Sequence, residues 1–200
     1  MSDGPLPRRV LLLGGARSGK SEAAEAMAAQ AAAGGPVTYV ATADLRPDDP
    51  DWAARIAAHR DRRPRGWRTL ETDDPTTAFR GNEVVLVDCV ALWLTRAMDA
   101  VGAWDDGAWA GGGMAALAER VNALVTAWAE SWGTVIVVSS EVGMGVVPAS
   151  SAGRRFRDEL GRLNVRLAAG ADEVYLVVAG RLLPLADPTA AQACPRLPPQ

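Results

Sequence analysis

An octapeptide near the start of the chain constrains both fold and chemistry more than any other feature. Residues 14–21 have the sequence G-G-A-R-S-G-K-S, directly after the apolar run 10–13 and directly before a pattern typical of a helix. Glycines let such a loop turn so that successive backbone N–H groups point at phosphate oxygens, and the start of the following helix adds partial positive charge. The lysine of this motif reaches the β- and γ-phosphates, and the last hydroxyl can ligate Mg²⁺. The segment predicts a nucleoside triphosphate site formed by Gly14, Gly15, Ala16, Arg17, Ser18, Gly19, Lys20 and Ser21.

Lys20 is the only lysine among the 21 basic residues of the chain. A lysine is a compact point charge, whereas arginine is a planar fork, so the two are not interchangeable at a phosphate. A lysine retained in a chain that otherwise uses arginine indicates a specific role at this position. The N-K-x-D motif with which regulatory GTPases recognise guanine would need a second lysine. We therefore expect an enzyme that acts on a small molecule rather than a switch protein.

Short apolar runs alternate with helical patterns along the chain. Continuous apolar runs typical of buried strands lie at 10–13, 37–41, 84–87, 135–138 and 174–178. Helical patterns lie at 21–33, 51–60, 114–132 and 151–169. This alternation predicts right-handed crossovers and an α/β fold, in which helices cover both faces of a mostly parallel sheet. With the octapeptide, it predicts three layers of the P-loop NTPase type (RecA-like).

The end of the chain differs in composition from the rest. We expect one nucleotide-binding domain over residues 1–200, with its core at about 8–185 and a loose Pro-rich tail at 186–200. Residues 181–185 predict a last strand at the edge of the sheet, because Pro184 suits only an edge. Whether that strand pairs antiparallel is open at this point.

Composition excludes several classes of partner. The 200 residues are 48% hydrophobic and 22% charged, with a net charge of −3, which does not indicate a general affinity for nucleic acid or for anionic membranes. No apolar run approaches the ~18 residues needed to cross a bilayer. Cys89 and Cys194 give neither a disulfide framework nor metal-ligand spacing. We therefore expect a soluble, cytoplasmic protein without a membrane span or a nucleic-acid partner.

Asp88 ends the apolar run 84–87. Its carboxylate is expected at the carboxyl edge of the sheet, where open α/β folds bind ligands. There it could hold Mg²⁺ together with Ser21. The alternative is that Asp88 caps the N-terminus of a helix, since aspartate also serves there.

A basic segment over residues 51–71 contains the single histidine, His59. Charged residues four apart, such as Arg55 and His59, are typical of a solvated helix face. The functional alternative is a mobile basic element that closes on phosphates. The neutral imidazole of a histidine is available near neutral pH, and its attack on an α-phosphate would give a phosphoramidate.

Several blocks of sequence, in order and at compatible spacing, resemble the bifunctional adenosylcobinamide kinase / adenosylcobinamide-phosphate guanylyltransferase family of cobalamin biosynthesis. The resemblance covers roughly residues 10 to 180 and is much more specific than the phosphate loop alone. Beyond residues 14–21, the matching blocks are Y-V-A-T-A at 39–43, R-I-A-A-H-R at 55–60, R-P at 63–64, W-R-T-L-E at 67–71, D-C at 88–89, L-W at 92–93, E-V-G-M-G-V-V-P at 141–148, F-R-D at 156–158 and G-R-L-N at 161–164.

The resemblance implies two reactions. The family phosphorylates the aminopropanol hydroxyl of adenosylcobinamide with ATP or GTP, then takes GMP from GTP onto a histidine and passes it to the phosphorylated corrinoid. That histidine corresponds to His59, and the assembly would be a homotrimer with its sites between subunits. Besides residues 14–21, the implied nucleotide contacts are Ala41, Thr42, Ala43, Arg60, Asp61, Arg62, Arg63, Glu71 and Asp88.

The chain departs from the family at a few positions. Pro50-Asp51-Trp52 replaces an acidic-Met pair, Arg96 stands where Asn is expected, and Ala43 replaces a frequent Ser. These departures leave the preference of the kinase step for ATP or GTP open.

From the residues alone, two other functions stay open: a plain small-molecule kinase with an idle His59, and an assembly protein gated by nucleotide. Glu141, in a loop after the fourth strand, is either a general base for the corrinoid hydroxyl or an ordinary loop acid.

Overall fold

A single sheet of seven strands organises the computed structural model, which describes residues 8–43 and 50–186. The strands lie in the order β3-β2-β4-β5-β1-β6-β7, and every neighbouring pair is parallel except β6 and β7. Their bounds are β1 Arg9–Gly14, β2 Val37–Ala41, β3 Arg68–Glu71, β4 Val84–Asp88, β5 Val135–Ser140, β6 Glu173–Val178 and β7 Arg181–Pro184.

The connections between parallel strands contain the helices. Within the described residues these are α1 Lys20–Ala32, α2 Pro50–Arg62, α3 Val90–Ala100, the short α4 Asp106–Ala108, α5 Met114–Ala129 and α6 Ser151–Ala169. A 3₁₀ turn spans Pro75–Ala78, and a π turn over Trp109–Gly113 joins α4 to α5. None of the described helices is both long and apolar enough to cross a membrane.

Both faces of the central strands are covered. In β1 and β5, five consecutive residues are buried, although successive side chains point to opposite faces of a sheet. Helices therefore pack on both sides, as the continuous apolar runs predict. The three-layer α/β prediction is confirmed, and so is the RecA-like order, because β5 lies between the strand that precedes the phosphate loop and the strand that ends in Asp88.

The predicted edge strand exists and is antiparallel. A two-residue turn of Ala179 and Gly180, both with positive φ (50° and 72°), joins β6 to β7. Positive φ at both central positions matches the turn geometry that suits the twist of a hairpin. Pro184 has no backbone N–H to donate. It lies on β7 at the outer edge of the sheet, where no further strand of the described residues needs that donor.

Strand β3 and helices α3 and α4 are absent from the sequence prediction. Strand β3 has no apolar run and is mostly exposed, so only its pairing with β2 defines it. Helix α3 begins two residues after β4 and is itself strongly apolar, so only Asp88 and Cys89 separate the two apolar segments. Helix α5 ends at Ala129 rather than at residue 132. The predicted tail from residue 187 onward, with Cys194, lies outside the described residues.

Two ion pairs join the starts of β1 and β6, at the opposite end of these strands from the phosphate loop. Arg8 binds Glu173, and the carboxylate of Asp172 accepts hydrogen bonds from both the backbone N–H (2.7 Å) and the guanidinium of Arg9. Hydrogen bonding by Arg9 lowers the pKa of Asp172, and hydrogen bonding by Arg8 lowers the pKa of Glu173.

We expect Asp172→Asn to lower the free energy of unfolding by about 1 kcal/mol near neutral pH, the scale of a partly exposed, charge-assisted contact. A carboxyl whose pKa is depressed by folding stabilises above its unfolded pKa of about 4, and this stabilisation is lost as the pH falls through the folded value. Urea titrations of both proteins at several pH values should show the difference shrinking in acid. Asp158→Asn is the control, because Asp158 pairs only with its neighbour Arg157 on α6 among the contacts described; a difference at position 172 that does not change with pH would contradict the assignment.

Candidate active site

A cavity of about 770 Å³ opens at the edge of the sheet where the parallel strands end. The phosphate loop borders it after β1, Ala41 at the end of β2, Asp88 at the end of β4 and Ser140 at the end of β5. Its size is typical of a small-molecule site, and its place is where open α/β sheets bind ligands.

The phosphate loop has the conformation that its glycines allow. Gly19 has φ of 91° directly before α1, and no side chain caps that helix, so its first N–H groups are free to bind an anion. A Cβ on Gly14 would lie 2.6 Å from Ser18 Oγ and 2.8 Å from the carbonyl oxygen of Val177. The ammonium of Lys20 donates to the Gly15 carbonyl at 3.0 Å, so it is folded back over the loop.

The β6–β7 turn supports the loop from behind. The backbone N–H of Gly180 donates to the carbonyl of Ser18 at 2.8 Å. A Cβ on Gly19 would lie 3.1 Å from the Cα of Gly180, so the two backbones are in close approach. The edge hairpin therefore helps to hold the conformation of the phosphate loop.

Asp88 is oriented by Tyr39, whose hydroxyl donates to Oδ2 at 3.0 Å. Burial, followed by the charge of Asp88, raises the pKa of Tyr39 far above its usual value, so the phenol keeps its proton. The alternative role of Asp88 as a helix cap is wrong, because the N-cap residue of α3 is Cys89 and no side chain caps the helix. The carboxylate is thus free of a capping role and faces the cavity.

The segment after Asp88 is fixed by Thr42. Its hydroxyl accepts from the N–H of Cys89 at 3.1 Å and donates to the carbonyl of Cys89 at 2.7 Å. Burial raises the pKa of the Cys89 thiol to about 12, which keeps it protonated and unreactive. Thr42 therefore positions the end of β4 rather than facing the cavity.

His59 lies in the last turn of α2 and points into the site. Its Nδ1 is 3.8 Å from Asp88 Oδ2 and 3.9 Å from Glu25 Oε1 on α1. The guanidinium of Arg62 is nearer still, with Nη2 at 3.1 Å from Nδ1. The side chain is 34% exposed, so one part of the ring stays accessible from the cavity.

Arg63 anchors the end of α2 to the sheet. It donates from Nε to the carbonyl of His59 and from Nη1 to Thr69 Oγ1, both at 2.8 Å, and its guanidinium stacks 4.0 Å above the ring of Tyr39. Arg60 pairs with Glu71 on β3. Arg60 and Arg62 remain exposed, as on a solvated helix face, but their guanidinium groups also pair with Glu71 and Glu25.

The structure brings together most of the residues expected to bind nucleotide. Gly14, Gly15, Thr42, Asp61 and Arg62 do not line the cavity, although Arg62 reaches it through His59. The predicted residues that line it are Ala16, Arg17, Ser18, Gly19, Lys20, Ser21, Ala41, Ala43, His59, Arg60, Arg63, Glu71 and Asp88.

Sequence reasoning missed Glu25 and Tyr39 as parts of the site. Glu25 lies one helical turn after Ser21, so the spacing i, i+4 was the available signal that it shares the face of the loop's last hydroxyl. Tyr39 lies inside the run 37–41 that predicts β2, so the sequence marks it as a buried strand residue and not as part of the site.

Glu141 is held within its own loop. Its carboxylate accepts from the N–H of Gly143 at 2.6 Å, while its backbone N–H donates to the carbonyl of Gly14 at 3.0 Å. Of the two roles left open, this geometry favours the ordinary loop acid.

The donor set suits Mg²⁺ bound together with a nucleotide. Ser21 and Asp88 both line the cavity, and the described residues contain no cluster of three His, Cys, Asp or Glu side chains that could hold a metal alone. Mg²⁺ in such sites takes one or two protein oxygens and completes its shell with phosphates and water.

Comparison with known proteins identifies a family and several relatives that this chain resembles. The family described as cobinamide kinase / cobinamide phosphate guanyltransferase matches residues 10–185. The bifunctional adenosylcobalamin biosynthesis protein CobU of Salmonella typhimurium is 40% identical over 86% of this chain and 96% of its own length, and that of Escherichia coli is 42% identical over the same shares. The corresponding CobP protein of Pseudomonas aeruginosa is 41% identical over 88% of this chain and 96% of its own. Among solved structures, a type III secretion ATPase is similar with a TM-score of 0.47 and 13% identity, over 86% of this chain and 51% of that chain.

We expect Gly14→Ala to lower the stability of the phosphate loop, because its new methyl group would meet a backbone oxygen at 2.8 Å that cannot move without disturbing β6. The free energy of unfolding should fall by about 1–3 kcal/mol, measured by urea or thermal unfolding without nucleotide. Gly15→Ala is the matched control, since no atom lies within 4 Å of a Cβ at that position. Equal stabilities of the two variants would contradict the close packing at Gly14.

Proposed function

This chain belongs to the cobinamide kinase / cobinamide phosphate guanyltransferase family, and on that premise we propose that one cavity carries out both reactions. The first transfers the γ-phosphate of ATP or GTP to the aminopropanol hydroxyl of adenosylcobinamide. The second transfers GMP from GTP, through His59, to the phosphorylated corrinoid, which gives adenosylcobinamide-GDP.

One observation carries this proposal. The phosphate loop with Lys20 and the single histidine border the same cavity, and His59 Nδ1 lies 3.8 Å from the carboxylate of Asp88. A kinase alone would need the loop but would have no use for an imidazole placed at its acid. A nucleophile beside a triphosphate site is what a two-step nucleotidyl transfer requires.

In the kinase reaction, this chain's residues position phosphates and offset their charge. The N–H groups of the loop and of the start of α1 would bind phosphate oxygens, and Lys20 would leave the Gly15 carbonyl to contact the β- and γ-phosphates. Ser21 and Asp88 would hold Mg²⁺, which neutralises charge on the phosphates when bound. Tyr39 would keep Asp88 in place through its hydrogen bond.

In the guanylyl reaction, His59 acts as the nucleophile. A lone pair of the imidazole attacks the α-phosphorus of GTP, the bond from that phosphorus to the bridging oxygen breaks, and pyrophosphate leaves with the electron pair. A phosphate oxygen of the corrinoid then attacks the same phosphorus and returns the electron pair to the imidazole. Arg60 and Arg63, at the rim, would bind the phosphates during both steps.

The assembly and the location of the protein belong to the same proposal. We place it in the cytoplasm, where ATP and GTP are available, as a homotrimer with its sites between subunits. Exposed apolar side chains on β6 and β7, Val178, Leu182 and Leu183, offer surface for such an association.

The sharpest test is His59→Ala, which removes the only imidazole of the chain. We expect it to abolish protein labelling by GTP labelled at the α-phosphate and to stop guanylyl transfer. Phosphorylation of adenosylcobinamide needs positioning rather than a protein nucleophile, so it should continue, although more slowly if α2 also closes the site.

The wild-type adduct should be labile to acid and stable to alkali, as a phosphoramidate is. Labelling of the His59→Ala protein, or synthesis of the GDP-linked corrinoid at the normal rate, would exclude the histidine route. A wild type that phosphorylates but never becomes labelled would point to a plain kinase.

A second prediction concerns Lys20→Arg. The charge is retained, but a planar fork cannot fold over the loop as the ammonium does, so both reactions should lose about 2–4 kcal/mol of transition-state stabilisation. The measurement is kcat/KM for each reaction. Arg80→Lys, the reverse exchange at an exposed residue, is the control and should behave as wild type. Normal turnover of Lys20→Arg would show that Lys20 does not contact the phosphates.

A further inference from the structure

The imidazole of His59 is blocked at one nitrogen by the neighbouring Arg62. Arg62 Nη2 lies 3.1 Å from Nδ1. A guanidinium carries donors only, so Nδ1 must be the acceptor and the proton of the neutral ring must lie on Nε2. In this arrangement neither nitrogen has a free lone pair, and the ring cannot attack phosphorus.

The same nitrogen faces a carboxylate that Arg62 also holds. Glu25 Oε1 is 3.9 Å from Nδ1, and Nε and Nη2 of Arg62 lie 3.3 Å from the two oxygens of Glu25. The side chain of Glu25 is 13% exposed, whereas that of Arg62 is 36% exposed and is further bound to Glu22 at 3.1 Å. Arg62 is thus a movable cation between a histidine and a largely buried acid.

We propose that Glu25 and Arg62 form a two-position switch on His59: in one position Arg62 blocks Nδ1, and once phosphates draw Arg62 away, Glu25 accepts Nδ1–H and leaves Nε2 as the nucleophile. This inference rests on the proposed role of His59 as the GMP carrier. It makes Glu25 a positioning residue, which acts on the nucleotide only through the imidazole.

Glu25, rather than Asp88, accepts Nδ1–H because the two carboxylates have different hydrogen-bond partners. Asp88 Oδ2, the atom nearest to His59, already accepts from the hydroxyl of Tyr39 at 3.0 Å, and this carboxylate is the one that suits Mg²⁺. The oxygens of Glu25 are held by Arg62 itself, so the departure of Arg62 frees them. A phosphate attracts an arginine strongly and can bind it through two parallel hydrogen bonds, which gives the triphosphate the means to move it.

For the change of tautomer, Nε2 loses its proton to water and Nδ1 takes a proton from water, so the ring stays neutral. The transfer itself then needs no further proton acceptor. The lone pair of Nε2 forms the bond to the α-phosphorus, the bridging P–O bond breaks, and pyrophosphate leaves with the electron pair. Nδ1 keeps its proton, so the guanylylated ring is an imidazolium whose positive charge faces Glu25. When the corrinoid phosphate attacks, the Nε2–P bond breaks and the electron pair returns to Nε2, while Nδ1–H stays in place.

The single histidine allows a direct test of the tautomer. In protein labelled with ¹⁵N-histidine, only one imidazole contributes to the NMR spectrum. With the ring neutral, we expect nucleotide-free wild type to show protonated Nε2 and a hydrogen-bonded, unprotonated Nδ1. Arg62→Met, which has no donor, should move the proton to Nδ1, and the double variant Arg62→Met with Glu25→Met, which also has no acceptor, should not show this move.

A rate measurement tests the same switch in catalysis. In single turnovers with α-labelled GTP, Glu25→Gln should slow guanylylation about 10- to 100-fold with little change in the GTP concentration at half-saturation, because orientation rather than binding is lost. Glu22→Gln is the matched control: it makes the same change on the same helix and also removes a partner of Arg62, but leaves the acceptor of Nδ1–H intact. It should retain the wild-type tautomer and slow guanylylation less than threefold.

Three results would overturn the switch: Arg62→Met keeping its proton on Nε2, the double variant behaving as Arg62→Met does, or Glu25→Gln guanylylating at the wild-type rate. Circular dichroism of each variant excludes a folding defect as the cause. If the wild type itself is never labelled by GTP, the proposed function fails, whereas the spectra still decide whether Arg62 and Glu25 control the tautomer.

Discussion

The side chain of Asp88 is only 10% exposed, and a buried carboxylate needs hydrogen-bond donors. The site is arranged around this requirement. The hydroxyl of Tyr39 supplies one donor from the adjacent strand β2. The same tyrosine presents its ring to Arg63, which in turn holds the carbonyl of His59. The place of the histidine thus follows from the way in which the acid at the end of β4 is satisfied. The parallel register of β2 and β4, which sets Ala41 beside Asp88, fixes this chain of contacts.

Much of the fold could be predicted from the sequence because its strands are buried on both faces. The continuous apolar runs of β1, β2, β4 and β5 therefore mark these strands almost to the residue. Strand β3 has no such mark, since an exposed edge strand needs few apolar residues and is defined by hydrogen bonds to β2 alone. Helix α3 is hidden for the opposite reason: it is as apolar as the strand before it.

The candidate site also has one part that the sequence identifies and one part that it does not. The phosphate loop is a local structure whose glycines and lysine are contiguous, so the sequence identifies it directly. The environment of His59 depends on α1, α2 and β4 meeting in space, and no local pattern encodes such a meeting. Glu25 illustrates the difference: among the alanines of α1 it resembles a surface acid, and only the approach of Arg62 and His59 makes it part of the site.

The arginines of α2 also explain how the site balances its own charge and can still receive a triphosphate. Arg60 and Arg62 are paired with Glu71 and Glu25, and Arg63 with uncharged oxygens, so the described cavity rim is not a field of unbalanced positive charge. The exposed pair of Arg60 with Glu71 contributes only about 0–1 kcal/mol, whereas Arg62 also offsets the charge of the largely buried Glu25. A nucleotide offers the same guanidinium groups more highly charged acceptors with bidentate geometry. Exchange of carboxylate for phosphate at Arg60 therefore costs little, and in the proposed switch the Nδ1–H of His59 takes the place of Arg62 at Glu25.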